Sequence, residues 1–326
     1  MTTTQLSLED IYLIALKALK AAGADENNAS AVADIVMKAE RDGLFRIPGY
    51  VASLQSGKVN GQANPKLNAR TPVVLHCDGD LGYAPLAHQK SLGKLAQAAT
   101  SNGVATLSIT RTHHFAALWP ETEALAEQDL VAITCVSYLP NVAPFGSHEK
   151  LFGTNPIAFA WPRPNDSPVV FDMATAAMAM GDVQIAARDG KTVPEGTGLN
   201  ADGNETTDPA EIIKGMLLPF GGYKGSHIAM MIELLAGPLV GETTSFHSQK
   251  RDSGDGGPPR GGQFILAINP ELLSAGNWHN EGEAFLDRLS HLDGTRLPGQ
   301  RRYQNRLNLG PREINTELLK TIAAAK

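Results

Sequence analysis

VAITCVSY at 131–138, IAFAWP at 157–162 and VVFDMA at 169–174, followed closely by VQIAA at 183–187, are the runs whose reading decides the fold. Each is rich in β-branched or aromatic residues and reads as a strand. A parallel neighbour must be reached through a crossover of about a dozen residues or more, and too little chain separates some of these runs to hold one. The pattern therefore predicts a partly antiparallel sheet within a mixed α/β core, and a doubly wound parallel sheet fits poorly. Working outward, VVLHC at 73–77 and VATLSIT at 104–110 add strands with a helix around 85–100 between them, and QFILAI at 263–268 adds a later one.

The chain begins helically. Ser7 and Asp10 form a capping-box pattern, Leu6 and Ile11 stand at staple spacing, and Leu8, Ile11, Leu16 and Leu19 mark an apolar face that ends before Gly23. Asp25 can cap a second helix carrying Val32, Ile35, Val36 and Ala39. GSHIAMMIELLAGPLVG from Gly225 is apolar nearly all round, which predicts a buried helix. Two more helices follow Trp278, and the last, near Pro311 to Ala324, is expected to pack on the N-terminal helices. The polar, turn-rich stretches 189–209 and 251–262 read as surface loops near openings.

Composition excludes whole classes of function. The 326 residues are 42% hydrophobic and 19% charged, enough for a substantial core and two compact lobes. A net charge of −6 offers no general attraction to nucleic acid or anionic lipid. No apolar run reaches the ~20 residues of a membrane span and the first residues lack a signal-peptide pattern, so a cytoplasmic protein is expected. Cys77 and Cys135 sit in strand runs without C-x-x-C spacing and read as buried spectators.

Several segments can carry chemistry. Gly196-Thr-Gly198-Leu-Asn-Ala201 satisfies G-x-G-x-x-A, but no strand leads into it and no helix opens after it, so it is rejected as a dinucleotide fingerprint. Phe220-Gly-Gly-Tyr-Lys-Gly-Ser226 leads straight into the long apolar helix, so its glycines, helix-start amides and Lys224 outline an anion site; a plain glycine turn is the other reading. His113 and His114 follow the strand at 104–110, where α/β proteins place ligands and imidazole can pass a proton, or they merely pack and cap. Metal binding is the weaker choice, because no ligand cluster stands at the right spacing. Arg296, Arg301 and Arg302 present forked donors that suit a phosphate such as the 2′-phosphate of NADP, unless they are solvated or paired with the C-terminal helix. Arg46, among apolar neighbours in LFRIPGY, needs an anion, either a structural carboxylate or a substrate's.

Taken together, LFRIPGY, HHFAALWPE, LFGTNPIAF, FDMAT followed by GDVQIAAR, LPFGGYKGS and RLPGQRRY resemble the malate/L-lactate dehydrogenase-like oxidoreductases, the type-2 family without a Rossmann fold. Within it the likeness is to the branch of Δ1-piperideine-2-carboxylate/Δ1-pyrroline-2-carboxylate reductases. The resemblance implies a non-Rossmann NAD(P)-binding domain over 71–279, and a helical lobe from 1–70 with 280–326 that forms the substrate and dimer region of a homodimer. It implies NADPH as cofactor, with NADH possible. It assigns Arg46 to the substrate carboxylate, Thr154 to a substrate contact, and His114, Phe115, Ala116, Ala117 and Leu118 to the nicotinamide side. Phe171, Asp172, Tyr223 and Lys224 are further cofactor contacts, Arg296, Arg301 and Arg302 lie along the adenosine phosphate end, and Asp182 orients a catalytic base.

At one place the pattern breaks. The family carries a Ser-His-Gly step before the substrate arginine, with the histidine as proton donor, whereas Glu40-Arg-Asp-Gly-Leu-Phe-Arg46 runs on without serine or histidine. Either a loop is missing from this sequence or the protein works without the usual acid. The implied reaction is NADPH-dependent reduction of a cyclic imino acid to L-proline or L-pipecolate, with His114 or the missing histidine as donor. The alternatives are a 2-hydroxy-acid dehydrogenase of the malate or lactate type, and a cofactor-binding protein without catalysis.

Overall fold

The computed structural model describes residues 2–42, 48–113, 117–274 and 276–324. In chain order the elements are β1 (Thr3–Leu6), α1 (Leu8–Ala21), α2 (Glu26–Arg41), α3 (Pro48–Gln55), β2 (Lys66–Thr71), β3 (Val74–Asp78), α4 (Ala84–Asn102), β4 (Val104–His113), α5 (Trp119–Ala126), β5 (Val131–Val136), β6 (Ile157–Trp161) and β7 (Val169–Met173). There follow α6 (Met180–Arg188), β8 (Gly198–Leu199), β9 (Glu205–Thr206), α7 (Pro209–Lys214), β10 (Met216–Leu217), α8 (Tyr223–Ala236), α9 (Ser245–Ser248), β11 (Arg260–Ile268), α10 (Pro270–Ser274), α11 (Trp278–Ser290), α12 (Gln300–Leu307), β12 (Arg312–Asn315) and α13 (Thr316–Ala324).

The central sheet has seven strands in the order β2-β3-β4-β11-β5-β6-β7. β3 and β4 are parallel, joined by α4, and every other neighbour is antiparallel. The link 162–168 is too short for a crossover and β6 and β7 pair antiparallel, as that length requires, whereas 137–156 is long enough for one and β5 and β6 still pair antiparallel. α4 and α5 cover one face through Leu95, Ala99 and Trp119 on Leu107, Ile109, Ala132 and Ile265. The other face carries α8, through Ile232 and Ala236 on Cys135, and α11, through Leu286 near Val169 and Trp161.

The N-terminal helices start where the caps lie. The Ser7 side chain accepts from the Asp10 amide and Asp10 returns the bond, while Asp25 accepts from the Asn28 amide. Ile11, Leu19, Val32 and Val36 bury against Tyr50, Leu54 and Tyr83, and Ile314 of β12 and Ile322 of α13 close this second core. β12 pairs with β1, so Arg312–Asn315, read as the start of the last helix, is a strand, and α13 after it packs on the N-terminal lobe. No described helix is long and apolar enough to cross a membrane.

Two local readings are corrected. VQIAA at 183–187 lies inside helix α6, where Met180, Val183 and Ala186 share one packed face three residues apart while Ile185 is exposed. α8 is not buried on all sides, because Met230, Met231 and Leu234 stand 49%, 41% and 54% exposed on its outer face. The rejection of 196–201 holds: Gly198–Leu199 is a two-residue strand paired with Met216–Leu217, and a turn follows it.

Candidate active site

Strand direction sets where the chemistry gathers. With β3, β4, β5 and β7 ending at one edge of the sheet and β6 and β11 beginning there, that edge collects His113, Tyr138, Gly153 to Asn155 and Ala174 to Ala176. The start of α8 joins them, since the Phe220 amide donates to Thr175 O at 3.0 Å. Crevices at the carboxyl ends of strands are where α/β sheets place ligands.

Of the two histidines, His113 belongs to the core. It is 3% exposed, its Nδ1 lies 3.2 Å from Leu81 O, and burial, reinforced by Lys58, lowers its pKa to about 4. His114, Phe115 and Ala116 lie outside the described residues, as does Arg46. Both shoulders of the Arg46 segment are anchored. Arg306 donates to both Asp42 carboxylate oxygens, at 3.1 and 2.9 Å, and Gly49 packs so tightly on the 251–262 loop that a Cβ there would lie 2.7 Å from Gly256 O. Lys58 fixes that loop through Asp252 and Asp255, each at 2.9 Å.

Strand alternation sends Phe171 and Asp172 to opposite faces. Phe171 stacks on Phe159 at 5.5 Å. Asp172 Oδ2 accepts from the Leu118 and Trp119 amides at 2.7 and 3.2 Å and so caps α5; burial raises its pKa to about 6 against those two donors and Arg302. The Leu118 side chain is buried with Val136 and Ala158, and Ala117 is half-buried beside it. Thr154 is half-buried between Gly153 and Asn155 at the edge, and Asp182 is exposed in the first turn of α6. Arg302 donates to Val170 O at 2.8 Å and lies over the Trp119 ring, while Arg296 and Arg301 are exposed.

The turn into α8 suits a diphosphate. Gly221 and Gly222 adopt φ of 56° and 64°, nothing approaches within 4 Å of a Cβ built on Gly221, and no side chain caps the helix. Tyr223 and Lys224, both exposed, open the helix, and the Gly225 amide behind them donates to Phe220 O at 3.1 Å.

A model of the malate/L-lactate dehydrogenase family matches residues 6–320. The chain belongs to this family. It is 43% identical over 311 residues to a Δ1-pyrroline-2-carboxylate reductase of Ancylobacter novellus, covering 93% of this chain and 91% of that protein. The crystal structure of Δ1-piperideine-2-carboxylate reductase from Pseudomonas syringae pv. tomato superposes with a TM-score of 0.94 at 38% identity, over 99% of this chain and 100% of that one. A sulfolactate dehydrogenase from Methanocaldococcus jannaschii superposes at 0.87 with 29% identity, over 99% and 96% of the two chains. Membership makes this chain an oxidoreductase working with a nicotinamide cofactor.

The α8 turn is a testable candidate for holding that cofactor. Gly225 packs so closely that an added Cβ would meet Phe220 O at 2.1 Å, so Gly225→Ala must displace the turn. Binding of the reduced nicotinamide cofactor by the variant, followed by fluorescence titration, is expected to weaken about tenfold or more, since tenfold needs only about 1.4 kcal/mol.

Residue pattern alone missed a polar network near this edge, in which half-buried His88 meets the buried Gln263, Glu121 and Thr134. His88 Nε2 donates to Gln263 Oε1 at 2.6 Å, and Gln263 Nε2 donates to Glu121 Oε1 at 2.6 Å and Thr134 Oγ1 at 3.0 Å. Burial lowers the His88 pKa to about 4 and raises that of Glu121 well above the usual range. The one local signal was Glu121 two residues after Trp119, in the motif shared with the reductases.

Proposed function

We propose that this chain reduces the cyclic imino acids Δ1-piperideine-2-carboxylate and Δ1-pyrroline-2-carboxylate to L-pipecolate and L-proline with NADPH, as a cytoplasmic homodimer. The observation that carries this reading is the 43% identity to a pyrroline-2-carboxylate reductase along nearly the whole chain. NADPH supplies the hydride. Arg46 holds the substrate carboxylate and Thr154 contacts the ring, which turns binding into orientation of the C=N carbon. The imine nitrogen must carry a proton to accept hydride at carbon, and His114, oriented by Asp182, is the donor this sequence retains. His114 to Leu118 line the nicotinamide side, and Phe171, Asp172, Tyr223 and Lys224 belong to the cofactor contacts. The exposed Arg296 and Arg301, with Arg302 behind them, favour the 2′-phosphate of NADPH over NADH. Met230, Met231 and Leu234 give α8 an apolar outer face of the kind subunits cover, which supports the homodimer.

A second reading, a 2-hydroxy-acid dehydrogenase, is favoured by the likeness to the sulfolactate enzyme and by the arginine and hydride geometry a 2-keto acid would share. NADPH oxidation with Δ1-piperideine-2-carboxylate, against pyruvate and oxaloacetate, separates them. Turnover of the imine, faster by about a hundredfold in kcat/KM, is expected. Preference for a keto acid overturns the imine reading, and NADPH binding with no turnover leaves a cofactor-binding relative.

A further inference from the structure

The segment that carries Thr154 is held with more polar machinery than a strand start needs. Asn155 is fully buried with φ of 37°, a left-handed conformation that asparagine adopts more readily than most residues with a Cβ. Its side chain makes three hydrogen bonds: Oδ1 accepts from the Tyr138 amide at 3.2 Å, and Nδ2 donates to Ala229 O at 3.2 Å and Glu233 Oε1 at 2.8 Å. Glu233, on α8 and 6% exposed, also accepts from the Ser245 amide at 2.9 Å and the Gly153 amide at 3.4 Å. Gly153 is wedged in turn, since a Cβ there would lie 2.5 Å from Asn155 Oδ1 and 2.6 Å from Tyr138 O. From the other side, the Thr175 amide and Oγ1 donate to Thr154 O at 2.8 and 3.1 Å.

A buried carboxylate carries a desolvation cost that apolar packing would avoid. Here it accepts from both neighbours, Gly153 and Asn155, of one half-buried threonine at the ligand edge of the sheet. The carboxylate comes from the helix whose first turn forms the diphosphate seat, about 15 Å along its axis from Tyr223.

We propose that Asn155 and Glu233 are positioning residues that fix Thr154 for substrate, so that α8 carries the cofactor seat at one end and the alignment of the imino acid further along. This deepens the function proposed above and rests on it. Glu233→Gln keeps the volume but turns an amide NH2 toward at least one of three donors. It is expected to raise KM for Δ1-piperideine-2-carboxylate about tenfold, with NADPH affinity changed less than about twofold. The Kd for pyrrole-2-carboxylate, a planar unreactive mimic, is expected to rise in parallel. Glu233→Gln with Asn155→Asp restores a donor–acceptor pair between the two side chains but sets a carboxylate oxygen against Ala229 O and an NH2 toward the Gly153 amide, so it is expected to recover only part of the loss. Thr175→Val, which removes only a hydroxyl, is expected to raise KM about threefold and serves if the Glu233 variant does not fold. Unchanged KM and analogue affinity in soluble variants, or an equal loss of NADPH affinity, overturns the inference. Wild-type protein that turns over no imine overturns the function above and this inference with it; active wild type with unaffected variants overturns this inference alone.

Discussion

Replacing Arg306 with alanine is expected to lower stability by about 3–5 kcal/mol, read from urea unfolding, and to raise KM for substrate. Arg306 is the joint between three elements. From α12 it donates to both carboxylate oxygens of Asp42, at the end of α2, and to both of Glu123, on α5, including Glu123 Oε2 at 2.8 Å. Its guanidinium also lies 5.3 Å from the Trp119 ring centroid and 4.9 Å from that of Tyr303. The Asp42 and Glu123 side chains are only 3% and 5% exposed, so deleting the arginine removes the ion-pair partner of a buried Glu123 and leaves Asp42 to Arg41. Arg41 Nε remains 3.1 Å from Asp42, which places the loss toward the lower end of that range. The effect on KM follows from Asp42 leading into the segment that bears Arg46. Arg306→Lys is expected to recover only part of the stability, because one ammonium cannot serve two carboxylates with parallel forked bonds. A loss below about 1 kcal/mol would show that the two carboxylates find other partners or protons.

Acid is expected to destabilise this protein through two histidines. His88 and His113 have pKa values lowered from 6.5 to about 4, chiefly by burial. Between those values the unfolded chain binds a proton that the folded protein refuses. Each histidine's contribution is therefore complete above pH 6.5 and lost as pH falls toward 4, about 3 kcal/mol apiece. Asp172, with its pKa raised to about 6, acts in the opposite sense: its folded-state penalty is present above that value and relieved as it takes up a proton below it. Glu121, raised for the same reason and 4.0 Å from His88, also opposes the histidines. A difference measurement isolates the effect. His88→Gln keeps the donor to Gln263 and His113→Asn keeps the donor to Leu81 O. The double variant is expected to lose much less stability than wild type between pH 6.5 and 4. Parallel stability–pH curves for the two proteins would show that neither histidine is held neutral.

The comparison of residues with structure divides by range. The helix starts at Ser7 and Asp25, the glycine turn at 221–222 and the false fingerprint at 196–201 were all readable, because each depends on neighbours a few residues apart. VQIAA misled because β-branched residues in a short run resemble a strand whichever structure they adopt. Its helical phase appears only once Val183 and Ala186 have Phe152 and Ile212 to pack against. The apolar helix at 225 misled in a related way, since composition reports how apolar a surface is and not what covers it. In the site, residue type pointed to Thr154 only through family likeness, and the pair that holds it was invisible.

The sequence by itself determined the antiparallel β6–β7 pair, because the chain between 161 and 169 is too short for a crossover, and it determined the caps and turns that bound the helices. The tertiary structure alone decided which polar groups meet: Asn155 and Glu233, 78 residues apart, and Asp42 and Arg306, 264 apart. Local patterns follow from the geometry of one turn or one pleat, whereas a buried donor finds its acceptor only after distant segments have packed and water has been excluded.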